Sequence, residues 1–338
     1  AMARARRGRG QLAPALGALA LAALSAACLV RRGGPLSFAL QPQGQAAKRV
    51  AARVAEDEAP LDRRAALTLG GALWSASLAG PEAARADAKT VVVAGATGQT
   101  GRRIVERLNA AGGVSVVGGV RDVAKAQQAL SSASITIRGA MVEQVGAVDT
   151  KGVSLKKLDV AKDSVGALAE TLKGADALVV ATGFVPGNPF EMGKEAHAVD
   201  NLGTIALVDA AKQAGVGKIV LVSSILTDAR AWGQEGSAGF QITNAFGGVL
   251  DEKIVAERYL RASGLDYTIV RPGGLKASPP SGGLVVSGEN TLNSGEVSRD
   301  TVADVCVAAL FDSKASNKVV EIIEDESKPK LEQGKWFA

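Results

Sequence analysis

Histidine and cysteine are almost absent from this chain, which contains one histidine and two cysteines in 338 residues. A single histidine, His197, argues against a catalytic triad with an imidazole base and against a zinc or iron site that needs several such ligands. We therefore expect no metal, and we interpret His197 as a histidine on a helix surface. Cys28 and Cys306 lie in segments of different composition, so the part of the chain around Cys306 has no internal disulfide.

Acidic residues are scarce in the first quarter of the chain, so the net charge of +5 is unevenly distributed. Residues 1–86 contain 12 Lys and Arg but 5 Asp and Glu, a balance of +7, whereas residues 87–338 have a balance of −2. The basic character belongs to the leading segment. It therefore gives no support for nucleic-acid binding by the folded part, and we expect no nucleic-acid partner.

The leading segment begins with four arginines and then an uncharged stretch at residues 11–30 that ends in small residues. This order is typical of a secretory signal. A membrane-spanning helix is the alternative for a stretch of this length. Residues 36–55 contain Lys and Arg but no acid, and they resemble a plastid transit segment.

A third targeting signal follows. Arg63 and Arg64 precede the uncharged residues 65–80 and a small-residue site at 84–86, which resembles a twin-arginine signal of the thylakoid type. A short membrane-associated helix is the alternative. We predict that residues 1–86 are a cleavable targeting presequence with signal, plastid-transit and twin-arginine-like segments. The mature domain would then be residues 87–338, located in the plastid stroma or the thylakoid lumen.

Beyond the leader, apolar runs alternate with helix-like segments. The apolar runs predict strands at 91–93, 114–120, 153–158, 175–181, 218–222, 267–270 and 318–323. The predicted helices are 102–111, 123–130, 161–172, 194–214, 248–263 and 299–311. Residues 131–152 break this rhythm and predict an insertion or irregular hairpin. Strands that are apolar throughout predict a parallel sheet covered on both faces, hence an α/β doubly wound Rossmann fold with its ligand at the carboxyl ends of the strands.

A glycine-rich turn joins the first predicted strand to the first predicted helix, in the letters GATGQTG. In dinucleotide-binding folds, Gly95 would allow the tight turn, Gly98 the approach of the pyrophosphate, and Gly101 the packing of helix on strand. The N–H groups near Gln99 and Thr100 would face the phosphates at the positive end of the helix dipole. The context of strand, turn and helix therefore predicts a dinucleotide site.

The second predicted strand ends at Arg121 and Asp122, and Arg121 lies 20 residues beyond Gly101. A residue at this position lies beside the adenosine ribose, where an arginine accommodates the 2′-phosphate of NADP and an acid binds the 2′-hydroxyl of NAD. We therefore predict NADP, with NAD as the less favoured cofactor. Arg102 and Arg103 could add positive charge nearby.

With these landmarks placed, residues 89–326 resemble the atypical NAD(P)-binding branch of the short-chain dehydrogenase/reductase superfamily. The resemblance is carried by GATGQTG at 95–101, LDV at 158–160, ATG at 181–183, the Ser223-Ser224 pair, and DEKIVAERYLRASGLDYTIVRPGGL at 251–275. It implies a single NAD(P)-binding Rossmann domain with a small C-terminal substrate region. Plastid members of this branch include NADP-dependent oxidoreductases and a dinucleotide-binding component of the import translocon.

The resemblance also implies which residues bind the cofactor. Those at the pyrophosphate would be Gly95, Thr97, Gly98, Gln99, Thr100 and Gly101. Arg121 would contact the 2′-phosphate. The remaining contacts would come from Asp159 and Val160 at the adenine, Ala181, Thr182 and Gly183 toward the nicotinamide, Lys253 at the nicotinamide ribose, and Pro272, Gly273 and Gly274 behind the carboxamide.

The active-site tyrosine of the superfamily is missing. It lies four residues before the lysine and transfers a proton, but Val249 occupies this position here. Lys253 therefore remains a candidate catalytic residue, together with Ser223 or Ser224, which match the residue that orients a carbonyl. An enzyme without this tyrosine would need another acid, water, or an acceptor such as a flavin or quinone that requires little proton transfer.

Two functions stay open. One is an NADP-dependent plastid oxidoreductase that transfers hydride between the nicotinamide and a small apolar or conjugated acceptor, with segments 183–193 and 233–248 folding over it as a lid. The other is a non-catalytic NADP(H)-binding scaffold, an assembly or regulatory factor of a thylakoid complex. The expected partner is accordingly a small-molecule substrate or a thylakoid protein complex, and the mature domain is expected not to span a membrane.

Overall fold

The structure is a computed structural model that describes residues 90–132, 134–137, 141–144 and 147–338. The predicted presequence, residues 1–86, lies outside the described residues and stays a prediction. No helix within these ranges combines the length and apolar character that a bilayer crossing requires.

Twelve strands occur in the described residues. In chain order they are β1 (Thr90–Ala94), β2 (Ser115–Val120), β3 (Ser134–Ile137), β4 (Met141–Gln144), β5 (Val153–Lys157), β6 (Ala177–Val180), β7 (Lys218–Val222), β8 (Asp266–Pro272), β9 (Gly274–Lys276), β10 (Gly283–Ser287), β11 (Glu296–Ser298) and β12 (Lys318–Asp325).

Eight α-helices occur in the same ranges: α1 (Gln99–Ala111), α2 (Val123–Ser131), α3 (Val165–Leu172), α4 (Met192–Ala196), α5 (Thr204–Ala214), α6 (Ala238–Asn244), α7 (Val249–Ala262) and α8 (Arg299–Phe311). A π-helical segment, His197–Gly203, joins α4 directly to α5.

The main sheet has eight strands in the order β10-β12-β8-β7-β6-β1-β2-β5. Every neighbouring pair is parallel except β10 and β12 at one edge. From β1 the chain builds outward through β2 and β5, and then returns to the other side of β1 through β6 and β7. The predicted doubly wound parallel sheet is therefore confirmed, and the reversal of strand order lies between β1 and β6, where such folds bind ligands.

The sheet is covered on both faces, as its apolar strands predict. Val91 and Val93 pack on one side with Ile104 of α1 and Cys306 of α8. Val92 packs on the other side, in a cluster that includes Leu168 of α3 and Leu207 of α5. Burial raises the pKa of the Cys306 thiol to about 12, so this thiol is part of the apolar core.

The predicted element boundaries shift where capping residues intervene. Helix α1 begins at Gln99 because Gly98 is its N-cap, and α3 begins at Val165 because the hydroxyl of Ser164 accepts a hydrogen bond from the amide of Ala167. The irregular region at 131–152 contains the antiparallel β3–β4 hairpin, which confirms the hairpin prediction. Helix α6, in a segment predicted as a loop, begins after the N-cap Ser237.

Candidate functional site

The predicted site residues lie along one edge of the sheet. Because the central strands are parallel, the segments that follow them emerge at their carboxyl ends side by side. These segments are 95–98 after β1, 121–122 after β2, 158–160 after β5, 181–184 after β6, 223–228 after β7 and 273–274 after β8.

The glycine turn is closely packed against the next loop. Gly95 has φ = +83°, and a Cβ at this position would lie 2.8 Å from the carbonyl oxygen of Ala181. A Cβ on Gly101 would lie 2.1 Å from the carbonyl oxygen of Gly95, so any side chain there would collide with the backbone. Both glycines are therefore required by the geometry of the turn, as predicted.

Gly98 is different, because it is exposed and a side chain there would be less restricted than at the other two glycines. A Cβ on Gly98 would have two neighbours within 4 Å, the carbonyl oxygens of Gly95 at 3.2 Å and Ala181 at 4.0 Å. No side chain caps the start of α1, so the first-turn N–H groups, at Gln99 and Thr100, lack an intrahelical acceptor. Such a helix start suits an anion.

Two buried side-chain oxygens beside this helix start lack a hydrogen-bond partner among the described residues: Oε1 of Gln99 and Oγ1 of Thr182. Buried polar groups are nearly always bonded, so atoms of this kind mark places where a ligand supplies the missing contact. The Thr182 hydroxyl can donate to a phosphate oxygen, so together with the N–H groups at the start of α1 it fits the diphosphate of a dinucleotide. Oε1 of Gln99 can only accept, and it would need a donor on the ligand. Half-buried Thr97 belongs to the same loop.

Arg121 is available at the adenosine end of the edge. It is exposed directly after β2 and forms no ion pair with any residue that the structure describes. The neighbouring acid is already used, since Asp122 caps α2 by accepting a 3.0 Å hydrogen bond from the amide of Lys125. Of these two charged side chains, Arg121 is therefore the one available to a ligand.

The two helix arginines serve packing instead. Arg102 is buried and donates to the carbonyl oxygens of Leu130 and Ser132, which end helix α2. Arg103 is also buried and lies 3.4 Å from Asp300 of α8. The expectation that they add charge to the phosphate site gains no support from these contacts.

The segment after β5 is a turn stabilised by hydrogen bonds. The Asp159 amide donates to Asp163 at 2.8 Å, and the Asp159 carboxylate accepts from the amide of Ala161 at 3.2 Å. Val160 contacts the π-helical segment so closely that a Cβ on Gly203 would lie 2.8 Å from its Cγ2. The predicted adenine residues therefore present a backbone turn and an apolar side chain.

Lys253, on α7, forms an ion pair that sequence reasoning missed. Its Nζ lies 2.8 Å from Oδ1 of Asp200, whose side chain is fully buried in the π-helical segment. The other oxygen, Oδ2, accepts a 3.0 Å hydrogen bond from the amide of Phe184. Asp200, Ser223 and Lys253 line a shallow depression between α7 and the end of β7. The acid in the letters VDNLG was the signal that could have identified Asp200.

His197 belongs to an adjacent network. Its Nδ1 lies 2.9 Å from a carboxylate oxygen of Glu252, and the amide nitrogen of Asn201 donates to the same oxygen at 2.6 Å. The histidine side chain is half exposed on its helix, as predicted, but it has these partners. The carbonyl oxygen Oδ1 of Asn201 is buried without a hydrogen-bond partner among the described residues.

The two candidate serines differ in their hydrogen bonds. Ser223 is buried, and its hydroxyl donates to Oε1 of Glu257 at 2.5 Å, which uses its proton. Ser224 is half-buried, and its hydroxyl has no hydrogen bond to a described residue. Ser224 is therefore the serine whose hydroxyl can donate to a bound molecule.

Glu257 belongs to a buried ionic cluster centred on Arg271. Arg271 contacts Glu257 at 2.6 Å and Glu321 at 3.4 Å, and all three side chains are fully buried. Burial by itself lowers the pKa of Arg271, but the bonds and charges of Glu257, Glu289 and Glu321 outweigh it and raise that pKa. The cluster joins α7 to β8 and β12. It also fixes Ser223, through the hydrogen bond from the Ser223 hydroxyl to Glu257.

No tyrosine replaces the missing one. Val249 is buried at the start of α7. Tyr259 donates to Asp209 at 2.6 Å, and this hydrogen bond is the main reason that its pKa rises to about 12. Tyr267 lies within β8. The hydroxyl of Tyr259 is therefore not suited to donate a proton to a substrate at neutral pH.

The segment after β8 contacts the segment after β7 through backbone atoms. The amide of Ile225 donates to the carbonyl of Pro272 at 3.0 Å, which joins the Ser223–Ser224 segment to the predicted carboxamide loop. A Cβ on Gly273 would lie 2.5 Å from the carbonyl oxygen of Gly295, and Gly274 is exposed.

The two predicted lid segments contact each other near Gly247, where a Cβ would lie 2.5 Å from the carbonyl oxygen of Met192. They expose large apolar side chains, among which Phe190 is 94% and Ile242 66% accessible. In contrast, Phe184 and Phe240 pack into a small core with Leu250 of α7. The lid stays a prediction, and it concerns exposed side chains such as Phe190 and Ile242. Phe184 and Phe240 instead stabilise the fold.

Comparisons with known proteins identify a matching family model, two chloroplastic relatives and a similar solved structure. A family model described as NAD(P)H-binding matches residues 142–313. An uncharacterized chloroplastic protein of Arabidopsis thaliana is 43% identical over 252 residues, which cover 74% of this chain and 82% of that protein. Protein TIC 62, chloroplastic, of Pisum sativum is 32% identical over 256 residues, which cover 72% of this chain and 44% of that protein. The crystal structure of an oxidoreductase from Lactococcus lactis has a TM-score of 0.56 and 21% identity, covering 73% of this chain and 94% of that one.

Proposed function

The chain belongs to the NAD(P)H-binding family whose model it matches, and on this premise we propose that it is an NADP-dependent oxidoreductase of the plastid, from the atypical branch of the short-chain dehydrogenases/reductases. It would transfer hydride between the nicotinamide and a small apolar or conjugated acceptor. The plastid location is supported by the chloroplastic relatives from Arabidopsis thaliana and Pisum sativum. The predicted twin-arginine-like segment, if it is used, would direct the protein to the thylakoid lumen; otherwise the protein would stay in the stroma.

One observation carries the cofactor part of the proposal: the uncapped start of α1 behind Gly98, beside the unpaired oxygens of Gln99 and Thr182. The diphosphate would be bound there by backbone N–H groups, among them those of Gln99 and Thr100, and by the hydroxyl of Thr182. Arg121 would bind the 2′-phosphate, and Asp159 and Val160 would flank the adenine.

At the nicotinamide end, Lys253 would hold the ribose hydroxyls, and Ala181, Gly183 and the Pro272–Gly274 segment would line the ring. NADPH supplies the hydride when bound. Ser224 would donate a hydrogen bond to the acceptor, since the hydroxyl of Ser223 is bound to Glu257. With a valine at the tyrosine position, the acceptor would be one that needs little proton transfer, such as a quinone, flavin or enone.

The test mixes the full chain with NADPH and a panel of quinones, flavins and enones, and follows absorbance at the nicotinamide band. We expect consumption of NADPH that is abolished by Gly98→Ala, because the added methyl group would occupy the space through which the pyrophosphate approaches the backbone, 3.2 Å from the carbonyl oxygen of Gly95. Gly166→Ala is the matched control, since a Cβ at Gly166 has nothing within 4 Å. Well-folded protein that binds neither NADPH nor NADH would overturn the proposal.

The choice of NADP is tested separately by Arg121→Ala. We expect NADPH binding to weaken by about 1–3 kcal/mol, the scale of lost charge-assisted hydrogen bonds, with little change for NADH. Lys125→Ala is the control, because Lys125 is an exposed neighbouring cation paired with Asp122 at 3.9 Å. Equal losses for both cofactors would contradict the assignment of Arg121.

A second function has a specific observation in its favour. Val249 occupies the tyrosine position, and Tyr259 is bound to Asp209 instead. A protein of this kind could bind NADP(H) without turnover and act as a scaffold or regulatory factor of a thylakoid complex. Saturable NADPH binding with no consumption across the whole acceptor panel would favour this function over the enzyme.

A further inference from the structure

Asp200 lies in an unusual backbone element. The segment His197–Gly203 is π-helical within a continuous helical run from Met192 to Ala214. π-helical turns are rare, and they are frequently found at functional sites. Asp200 lies in the middle of this turn and directs a fully buried carboxylate to Lys253.

The two oxygens of this carboxylate serve different partners. Oδ1 lies 2.8 Å from Nζ of Lys253, whereas Oδ2 accepts from the amide of Phe184 at 3.0 Å. Phe184 directly follows the Ala181–Gly183 segment. One side chain therefore links the loop after β6 to the lysine on α7.

This link gives Lys253 a polar partner that Val249 cannot provide. A tyrosine at that position would offer Lys253 a polar neighbour, but a buried valine offers none. Lysine has a long flexible side chain, and its immobilisation costs rotamer entropy. A fixed carboxylate at hydrogen-bond distance holds the ammonium group before any ligand arrives, which lowers the ordering cost of binding.

Other charged groups near the pair are already used. Glu252, the residue before Lys253, is bonded to His197 and Asn201, and not to Lys253. Burial of an ion pair gives little net stability, because desolvation offsets most of the attraction. The pair is therefore better explained by the orientation of Lys253 than by the stability of the fold.

We propose that Asp200 is a positioning residue that takes over from the missing tyrosine and holds Lys253 Nζ where it can bind the nicotinamide ribose hydroxyls. This inference rests on the proposed function, which assigns that contact to Lys253. Asp200 itself would contact no part of the cofactor and would act through the lysine.

A double-mutant cycle on the full chain tests the inference, with NADPH dissociation constants measured by fluorescence titration. Asp200→Asn keeps the shape and can still accept from Phe184, but it removes the charge. We expect Asp200→Asn and Lys253→Met each to weaken binding about tenfold, the scale of one charge-assisted hydrogen bond. Because Asp200 acts through Lys253, the double variant should bind no more weakly than Lys253→Met alone.

Two further variants separate positioning from a general effect on folding. Asp200→Glu retains the charge and should recover part of the lost affinity. Asp209→Asn, which changes a carboxylate on α5 that is bonded to Tyr259 of α7, should bind NADPH as the unmodified chain does. If Asp200→Asn alone leaves the half-buried ammonium group of Lys253 unpaired and does not fold, the double variant, which removes both charges, is compared with Lys253→Met.

The outcomes distinguish two kinds of failure. Additive losses in the cycle, or unchanged binding by Asp200→Asn, would overturn the role of Asp200 but leave the proposed function intact. Absence of NADPH binding by the well-folded unmodified chain would overturn the proposed function, and this inference with it. Equal affinities of Lys253→Met and the double variant would support the role of Asp200.

Discussion

The carboxyl edge of the sheet is built in two different ways. Around β1, β2 and β6, which we term the glycine half, the shape depends on residues without side chains, such as Gly95, Gly98 and Gly101. Around β7, β8 and β12, which we term the ionic half, it depends on buried charged side chains, Glu257, Arg271 and Glu321 in particular. The first half leaves backbone groups open for a ligand, and the second pairs its buried carboxylates internally with Arg271.

The largest expected effect is in the ionic half. Arg271→Met would leave two fully buried carboxylates without their cation, so we expect the free energy of unfolding to fall by about 3–5 kcal/mol. Urea denaturation measures this difference. Arg230→Met is the control, because Arg230 forms an exposed bidentate pair with Asp251, and we expect no resolvable change. Similar losses in both variants would remove the distinction that defines the ionic half.

A smaller loss is expected from the glycine half. Gly101→Ala would place a methyl group 2.1 Å from a backbone oxygen, and the shift needed to relieve this collision should lower the free energy of unfolding by about 1–3 kcal/mol. The comparison is with Gly166→Ala in α3, where the added methyl group meets open space. Equal stability of the two variants would show that the turn is not tightly constrained.

The acid response of the ionic half depends on Glu324 of β12. Burial raises the pKa of this carboxyl, but hydrogen bonds from Thr301, Ser281, Lys276 and Ser298 outweigh it, and the pKa is lowered from its ordinary value of 4.5. A lowered folded-state pKa stabilises the protein above 4.5, and this stabilisation is lost as the pH falls below it. We therefore expect Glu324→Gln to be less stable at neutral pH, and the gap to narrow in acid.

Urea denaturation over the acid range measures this gap. Asp312→Asn serves as a control, since Asp312 accepts an exposed hydrogen bond near the start of a 3₁₀ turn. A gap between Glu324→Gln and the unmodified chain that stays constant with pH would contradict the assignment.

The smallest expected effect is alkaline and lies at the border of the ionic half. The hydrogen bond to Asp209 raises the pKa of Tyr259 from 10.0 to about 12. The stabilisation is therefore complete below pH 10 and is lost as the pH rises toward 12. Tyr259 is 39% exposed, so solvent screening keeps the effect small. Thermal melting should show an alkaline loss that Tyr259→Phe lacks and Tyr267→Phe retains.

The sequence predicted the glycine half because its determinants are local. Gly95, Gly98 and Gly101 are close in the chain, and Arg121 follows the very next strand, so their roles can be inferred from a short segment. The strands were also predictable, since unbroken apolar runs are typical of strands buried on both faces.

The ionic half could not be predicted in the same way, because its partners are distant in sequence. Arg271 is 14 residues from Glu257 and 50 residues from Glu321, and no local pattern joins them. The same reason explains why Asp200 was missed, since its partner Lys253 lies on a different helix. Either Ser223 or Ser224 was predicted to orient a carbonyl, and the sequence offers no means to foresee that the hydroxyl proton of Ser223 is bound to Glu257.

The buried thiol of Cys306 can serve as a probe of local opening of the fold. Alkylating reagents attack thiolates, and a thiol whose pKa is about 12 in the core of the sheet is almost wholly protonated and shielded at neutral pH. Its modification therefore requires α8 to separate from the strands that it covers. The rate of maleimide incorporation into the Cys306 peptide, read by mass spectrometry, would report how often that layer opens.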